Sequence, residues 1–491
     1  MLRWRNLLKP YEVLLPQRNI KMKQFITIIS LLLALQLHAS SISILTSAAA
    51  TKNANIGILV KRLSSGEVVD SYRSANLIPP ASTMKLFTTA TALEQLGSGY
   101  RIPTYLKYTG TIEQGVLHGD LYIVGQGDPT LGGRNWGSTN FLYQWSKAIR
   151  QAGITRIEGS IIGDVSYYDG DAISPGWLYE DMGNYYAPGI FALAYMDNTT
   201  NIQLRSGAIG SVATVIKTIP EIPGLQFENH IRCTEINYDG AFVHGLPYQN
   251  CRYLTGSIPS NHGSFGVQGD IPNPALLLAQ HLTQRLRHDG IEVRDSANYI
   301  AEDDRKVKTL LYTHYSDSLA AIVMATNQHS INLNAEMLFR NLGSQRGLPC
   351  TIHNASEVIK QFWRNRGVDI FTACILDGCG LAPQNGLSAE NFVNLLTYMA
   401  RSREHTAFVG SLPTSGQSGT LKGFLAKTEL DGKVHAKSGT IKGTKNYAGY
   451  IDLPDGDKLV FAILVNSGSG TNKQIQHAIE QYLLDVYRHC K

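Results

Sequence analysis

The chain lacks the strings that most often announce a metal site. Only six of its 491 residues are cysteine (Cys233, Cys251, Cys350, Cys374, Cys379 and Cys490), and none stands in a Cys-x-x-Cys pair. No His-Glu-x-x-His occurs either, so neither a structural zinc nor a zinc-peptidase site has support. The prominent apolar run, residues 25–37, is short of the roughly 20 residues that cross a bilayer as a helix. There are no internal repeats and no low-complexity linker. Net charge is small as well. The formal +5 resides in residues 1–39, where Arg3, Arg5, Lys9, Arg18, Lys21 and Lys23 stand against Glu12 alone. The remainder is neutral and offers no electrostatic footprint for nucleic acid. A hydrophobic content of 43% with 17% charged residues fits a globular protein, and the length allows two or three domains.

What is present begins with a leader. Lys21 and Lys23 flank Met22, the apolar run follows at once, and His38-Ala39-Ser40 offers a small residue at the exit. This is signal-peptide anatomy, so residues 1–39 are expected to direct export, with Met22 as the expected start. An uncleaved N-terminal anchor is the alternative. Export permits disulfides. Cys233 and Cys251 flank a turn-rich stretch that a hairpin would bring together, and the other cysteines read as buried thiols.

The body opens with alternating strand patterns at residues 55–63 and 68–72, around the turn Ser64-Ser65-Gly66. Pro79-Pro80 then delivers an extended chain to a helix that starts near Ser82 and ends at Gly97-Ser98-Gly99. The far end matches this beginning. Residues 446–453 and 458–466 read as strands, and a final helix carries Ile475, Ala478, Ile479, Tyr482 and Leu483 on one face. That narrow stripe predicts docking on the sheet rather than a membrane anchor. Residues from about 100 to 270 have short alternating runs, many glycines and almost no long helical pattern, and helical spacing returns at Pro274 and around Leu319. The expected organisation is a catalytic domain built from residues 40–99 and 306–491, interrupted by a β-rich insertion over 100–305.

Three short strings carry the chemistry: Ser82-Thr83-Met84-Lys85, Ser330-Ile331-Asn332 and Lys437-Ser438-Gly439-Thr440. A serine hydroxyl is a weak nucleophile and needs a base at hand. Ser82 and Lys85, three apart, share one helix face. Lys85 must be neutral to accept a proton, which burial and neighbouring cations such as Lys437 would favour. The Ser330 hydroxyl is placed to relay protons between lysines and leaving amine, and the Asn332 amide can donate to and accept from a peptide group. Lys437-Ser438-Gly439-Thr440 opens a strand whose edge can pair with an extended peptide. Lys437 would offer positive charge to a terminal carboxylate, and the N–H groups of Ser82 and Thr440 form the expected oxyanion hole. Each string is weak alone; in this order, behind an export signal, they describe a serine acyl-transfer site.

The set resembles the S13 peptidases, low-molecular-mass class C penicillin-binding proteins of the D-alanyl-D-alanine carboxypeptidase/endopeptidase type. The separation of 248 positions from Ser82 to Ser330 fits that family's large insertion and not a compact β-lactamase. Further strings are similar to the family's: Gly125-Gln-Gly-Asp-Pro-Thr-Leu131, Gly163-Asp164 with Tyr168-Asp169-Gly170, Pro175-Gly176-Trp177 through Tyr186, Asp377-Gly-Cys-Gly-Leu381 and Gly416-Gln-Ser-Gly-Thr-Leu421. Cys379 stands where the family has serine, and the third motif reads Lys-Ser-Gly rather than Lys-Thr-Gly. The resemblance implies a multidomain α/β (α+β) fold, with a transpeptidase-like domain whose antiparallel sheet is flanked by helices. It implies Ser82, Lys85 and Ser330 as catalytic residues, with Asn332, Lys437, Ser438, Thr440 and Asp181 binding substrate. It also implies peptidoglycan stem peptides as substrate, β-lactams as covalent inhibitors, no metal or organic cofactor, and a periplasmic protein, soluble or loosely membrane-associated. A homo-oligomer is compatible with all of this. The alternatives are a β-lactam hydrolase or esterase of the same fold and a non-catalytic cell-wall-binding protein.

Overall fold

The computed structural model describes residues 41–136, 140–344 and 349–491. The expected leader, residues 1–39, lies outside the described residues. Both ends of the chain meet in one sheet. Strands β1 (Asn55–Arg62) and β2 (Val68–Tyr72) come early, and β3 (Val434–Ile441), β4 (Thr444–Asp452) and β5 (Lys458–Asn466) come late. The sheet order is β3-β4-β5-β1-β2, antiparallel throughout, with Asn55 to Arg62 paired without interruption against Asn466 to Leu459. The strand edges therefore fall within a residue or two of those expected.

On one face lie α1 (Lys85–Leu96), α2 (Leu319–His329), α3 (Asn332–Gly343), α4 (Ile352–Arg364) and α5 (Ala389–Met399); α6 (Asn472–Cys490) covers the other. This explains why β5 is apolar at every position from Leu459 to Val465. Leu459, Phe461, Ile463 and Val465 point to α6, with Ile479, Tyr482 and Leu483, while Val460, Ala462 and Leu464 face Phe392 and Leu396 of α5. Each such side chain, fully buried, contributes about 1.5–3 kcal/mol. The start of α6 is fixed locally: Thr471 and Gln474 exchange side-chain-to-backbone bonds in a capping box. Among the described residues no helix is long and apolar enough to cross a membrane.

The insertion has two parts. The first is a five-stranded sheet in the order Asn298–Ile300, Ile161–Asp164, Leu121–Val124, Pro103–Tyr108, Thr309–Tyr315, packed against helices Phe141–Gln151 and Pro274–His288. The strand Thr309–Tyr315 pairs with Pro103–Tyr108, so this sheet extends past the boundary expected at residue 305. Helix Phe141–Gln151 interrupts the texture expected to be β-rich with almost no long helical pattern. Its stripe Phe141, Trp145, Ile149 recurs every four residues, but the surrounding glycine-rich runs hide it. The second part stacks a three-stranded sheet on a four-stranded one around Ile202, Leu204, Val243, Leu254 and Val267. Arg252 and Asp270, both fully buried, form a two-pronged ion pair there at 2.6 and 2.9 Å.

The expected approach of Cys233 to Cys251 does not occur. Cys233 is buried opposite Ile258, whereas Cys251 begins that partner strand seven residues earlier and is exposed; both are free. Strands rise about 3.3 Å per residue, which puts the two far beyond the roughly 7 Å limit between Cα atoms for a disulfide.

Candidate active site

The segment before α1 is bent and held from three sides. Ala81–Met84 forms a single 3₁₀ turn, and Ala81 has a left-handed φ of 47°. Asn446 of β4, fully buried, donates to the carbonyls of Pro79 (2.9 Å) and Pro80 (2.8 Å) and accepts from the Val465 N–H (2.9 Å). Gly439 of β3 runs so close to the turn that a Cβ there would lie 2.6 Å from the Pro80 oxygen and 3.1 Å from the Ser82 nitrogen. On the third side a Cβ at Gly380 would lie 1.8 Å from the Ala81 oxygen, so only glycine fits. Ser82 thus sits on a fixed turn against the sheet edge, three residues before the regular α-helix expected to carry it.

Lys85, at the start of α1, is fully buried, and its Nζ has three hydrogen-bonding partners. Its Nζ lies 2.9 Å from Ser82 Oγ, 2.6 Å from Asn332 Oδ1 and 2.8 Å from the Cys379 carbonyl. Burial lowers its pKa, against the opposing pull of Cys379, Asp377 and Glu336. Lys437, also fully buried, donates to Ser330 Oγ (3.0 Å) and to the Ser438 carbonyl (2.7 Å). Its pKa falls well below the ordinary lysine value, first through burial and then through Lys85 and Lys445. The influence between cations therefore acts on Lys437, whereas the sequence suggested it for Lys85.

Ser330 occupies the sharp corner between α2 and α3, with φ 57° and ψ 39°. The next residue but one, Asn332, opens α3, which is buried from Leu333 to Gly343 because the catalytic core lies on one side (Leu338, Phe339, Leu342) and the insertion core on the other (Leu333, Met337). The Asn332 amide bridges these bodies. Its Oδ1 accepts from Lys85, and its Nδ2 donates to the carbonyl of Tyr186 in the insertion at 2.7 Å. The first and second motifs thus meet through Lys85 and Asn332, and the second and third through Ser330 and Lys437. Ser438 Oγ donates to Thr420 Oγ1 (2.8 Å), and Thr440 Oγ1 accepts from Lys445 Nζ (3.0 Å). Asp181 is one residue removed: it accepts from the Tyr186 hydroxyl at 3.0 Å, and burial raises its pKa. A cavity of about 350 Å³ opens beside Ser330 and Asn332, walled by Arg134, Tyr185, Tyr186 and His329.

Behind Lys85 lies a buried acidic group. Glu336, Asp377 and Cys379 offer ligand atoms within 4.8 Å of one another. Their capacity is already taken. Glu336 accepts from the Gly378 and Cys379 N–H groups (2.7 Å each) and from Ser174. Asp377 accepts from the Gly380 and Ala382 N–H groups, Asn385 and Trp177. Donors arranged in this way suit a scaffold for the Cys379 carbonyl rather than a cation. Burial pushes Glu336 up to about 7.

The profile of the D-Ala-D-Ala carboxypeptidase 3 (S13) family matches residues 38–486. The chain belongs to this family. A D-alanyl-D-alanine carboxypeptidase of Actinomadura sp. (strain R39) is 27% identical over 454 residues, covering 90% of this chain and 83% of the relative. The D-alanyl-D-alanine carboxypeptidase DacB of Haemophilus influenzae is 24% identical over 425 residues, covering 85% and 86%. The crystal structure of penicillin binding protein 4 (dacB) from H. influenzae shares the fold, with a TM-score of 0.78 at 22% identity over 91% of this chain and 98% of that one.

Sequence reasoning missed several residues of the site. Tyr186 and Thr420 lay inside strings already noted for their family likeness, but nothing marked their contacts. Asn446 and Glu336 left no signal at all, because each acts through backbone groups distant in sequence.

Proposed function

We propose that the chain is a serine-type D-alanyl-D-alanine carboxypeptidase of peptidoglycan stem peptides that works through an ester on Ser82. The observation that carries this is the 2.9 Å contact between Ser82 Oγ and a fully buried, hydrogen-bonded Lys85. Neutral Lys85 takes the hydroxyl proton as Ser82 Oγ attacks the carbonyl of the penultimate D-alanine. The N–H groups of Ser82 and Thr440 receive the oxyanion; one such donor is typically worth about 10²–10³ in rate. Ser330, bonded to Lys437, passes a proton to the leaving amine, and D-alanine departs. Water then hydrolyses the ester, with Lys85 again as base. Asn332 and the edge of β3, with Ser438 and Thr440, hold the extended peptide. Asp181 reaches the cleft through Tyr186.

When a cross-linked second stem replaces terminal D-alanine, the same steps give D,D-endopeptidase activity. β-Lactams acylate Ser82 by the same attack. The signal-peptide pattern read in residues 1–39 supports a periplasmic location.

The test is intact-mass spectrometry after incubation with benzylpenicillin, beside Ser82→Ala. One stable adduct, absent in the variant, is expected, followed by release of D-alanine from a pentapeptide stem. Drug hydrolysis without an adduct would instead establish a β-lactamase. Folded protein inert to both drug and peptide would leave a wall-binding role.

A further inference from the structure

Peptidoglycan stem peptides hang from a glycan chain, so a site that takes the stem from the polymer must also meet its sugar rings. We propose that the outer face of the four-stranded sheet in the insertion, with Tyr179 at its edge, is a docking platform for that glycan, a chain of N-acetylated hexosamines. This deepens the acyl-transfer function proposed above and rests on it for the identity of the polymer.

Four aromatic rings make the platform. Strand Gly240–His244 closes one side of the sheet and pairs with strand Cys251–Pro259, His244 standing opposite Tyr253. Alternation turns Val243 and Leu254 into the core and leaves Phe242, His244 and Tyr253 on the outer face. The Phe242 and His244 rings are nearly parallel with centres 6.3 Å apart, and Tyr253 lies 6.2 Å from His244. Tyr179 extends the row, its ring within 7° of parallel to His244 at 5.7 Å. Tyr179, Phe242 and Tyr253 are 67%, 46% and 39% exposed, so rings that folding would ordinarily cover stay open to a ligand. Sugar rings present C–H faces that pack on aromatic rings, and their hydroxyl and acetamido groups need polar partners alongside. Glu228 stands opposite Tyr253 on the neighbouring strand, Thr255 opposite Phe242, and Ser257 opposite Arg232. The charges of Glu228 and Arg232 offset each other. That suits a glycan whose acid groups are tied up as amides with the stems, and gives a polyanion no basic footing.

The platform is continuous with the cleft. The Val243 N–H donates to Asn184 Oδ1 (3.0 Å) and the Gly245 N–H to the Met182 carbonyl (3.2 Å), which ties the strand to segment 179–186. The same segment reaches Asn332 through the Tyr186 carbonyl and walls the cavity beside Ser330 with Tyr185 and Tyr186. Tyr179 precedes Asp181 by two residues, at most about 7 Å of chain, whereas an extended pentapeptide stem spans about 17 Å. A stem lying in the cleft can therefore carry its sugar to the first ring.

The test measures binding of chitohexaose, a neutral N-acetylglucosamine hexamer, by calorimetry. Beside it, hydrolysis of a free pentapeptide stem is compared with that of the same stem on an uncross-linked glycan chain. The variants are F242T, Y253T and the two combined, because threonine keeps the strand preference at exposed positions. Each single change is expected to weaken chitohexaose about 10-fold, the loss of one aromatic anchor. KM on the glycan-borne stem should rise by a similar factor, with kcat and hydrolysis of the free stem unchanged. No binding by wild type, or undiminished binding by the combined variant, overturns the proposal alone, since the free stem and benzylpenicillin report the chemistry separately. If the changes instead abolish self-association in sedimentation velocity and leave sugar affinity intact, the face is a protein contact and the proposal is likewise overturned. A wild type that hydrolyses no stem and takes no benzylpenicillin adduct, yet binds chitohexaose through Phe242 and Tyr253, removes the acyl-transfer function and keeps the platform.

Discussion

Replacing Gly439 by alanine tests how tightly the sheet edge fixes the nucleophile. The added methyl would lie 2.6 Å from the Pro80 oxygen, 3.0 Å from the Thr83 nitrogen and 3.1 Å from the Ser82 nitrogen. Ordinary contact begins near 3.4 Å, so the turn or the strand must retreat by about 0.8 Å. Neither can yield locally. Asn446 ties the Pro79 and Pro80 carbonyls to β4, and β3 is paired with β4 along its whole length. The retreat therefore widens the gap between Ser82 and Thr440, whose N–H groups flank the proposed oxyanion. A misplacement of about 1 Å costs roughly 10²-fold in rate, close to the loss of one oxyanion donor. The second-order rate of acylation by benzylpenicillin, followed by intact mass, is expected to fall about 100-fold. Overpacking also costs about 1–3 kcal/mol of stability, so the melting temperature should drop by several degrees. Folded G439A that acylates within threefold of wild type would refute this account of the edge.

The pH dependence of acylation follows from Lys85. Burial lowers its pKa from the usual 10.5, and only its neutral form accepts the Ser82 proton, so the rate should rise with pH and level off below pH 10.5. A rate that keeps climbing through the ordinary lysine range, or that falls with rising pH, would exclude Lys85 as the base. Asp270→Asn should leave acylation intact while destabilising the smaller part of the insertion, because a buried guanidinium left without its partner costs about 3–5 kcal/mol. Differential calorimetry and limited proteolysis between residues 199 and 270 would show this, and an unaltered melt would contradict it.

Why some of this was legible in the chain and some was not has a physical basis. Strand and helix assignments in the catalytic domain succeeded where burial imposes a period: β5 is bounded by Lys458 and Asn466, and α6 by its capping box. The three motifs were readable because the proposed nucleophile, base and relay need particular side chains at short spacing. The rest depends on contacts that the sequence does not encode locally. Asn446 matters because two carbonyls some 366 positions away need donors. Ser330 is a serine in a left-handed corner, where glycine or asparagine would be the ordinary expectation. The lowered pKa of Lys437 comes first from burial and then from Lys85 and Lys445, which only the folded sheet brings near.

The insertion is more than a covering for the cleft, because it completes the second motif. An asparagine amide has a carbonyl and an amino end, and in Asn332 both are committed: one to Lys85, the proposed base, the other to the Tyr186 backbone. Which way the amide faces is therefore set from the insertion side, and Asp181 steadies Tyr186 in turn through its hydroxyl. Helix α3 transmits the same constraint, since its two faces belong to two different cores. A change that loosens the 181–186 segment should therefore reach Ser82 through Asn332 and Lys85 without touching a motif residue, and the long separation between the first and second motifs is part of how the site is assembled.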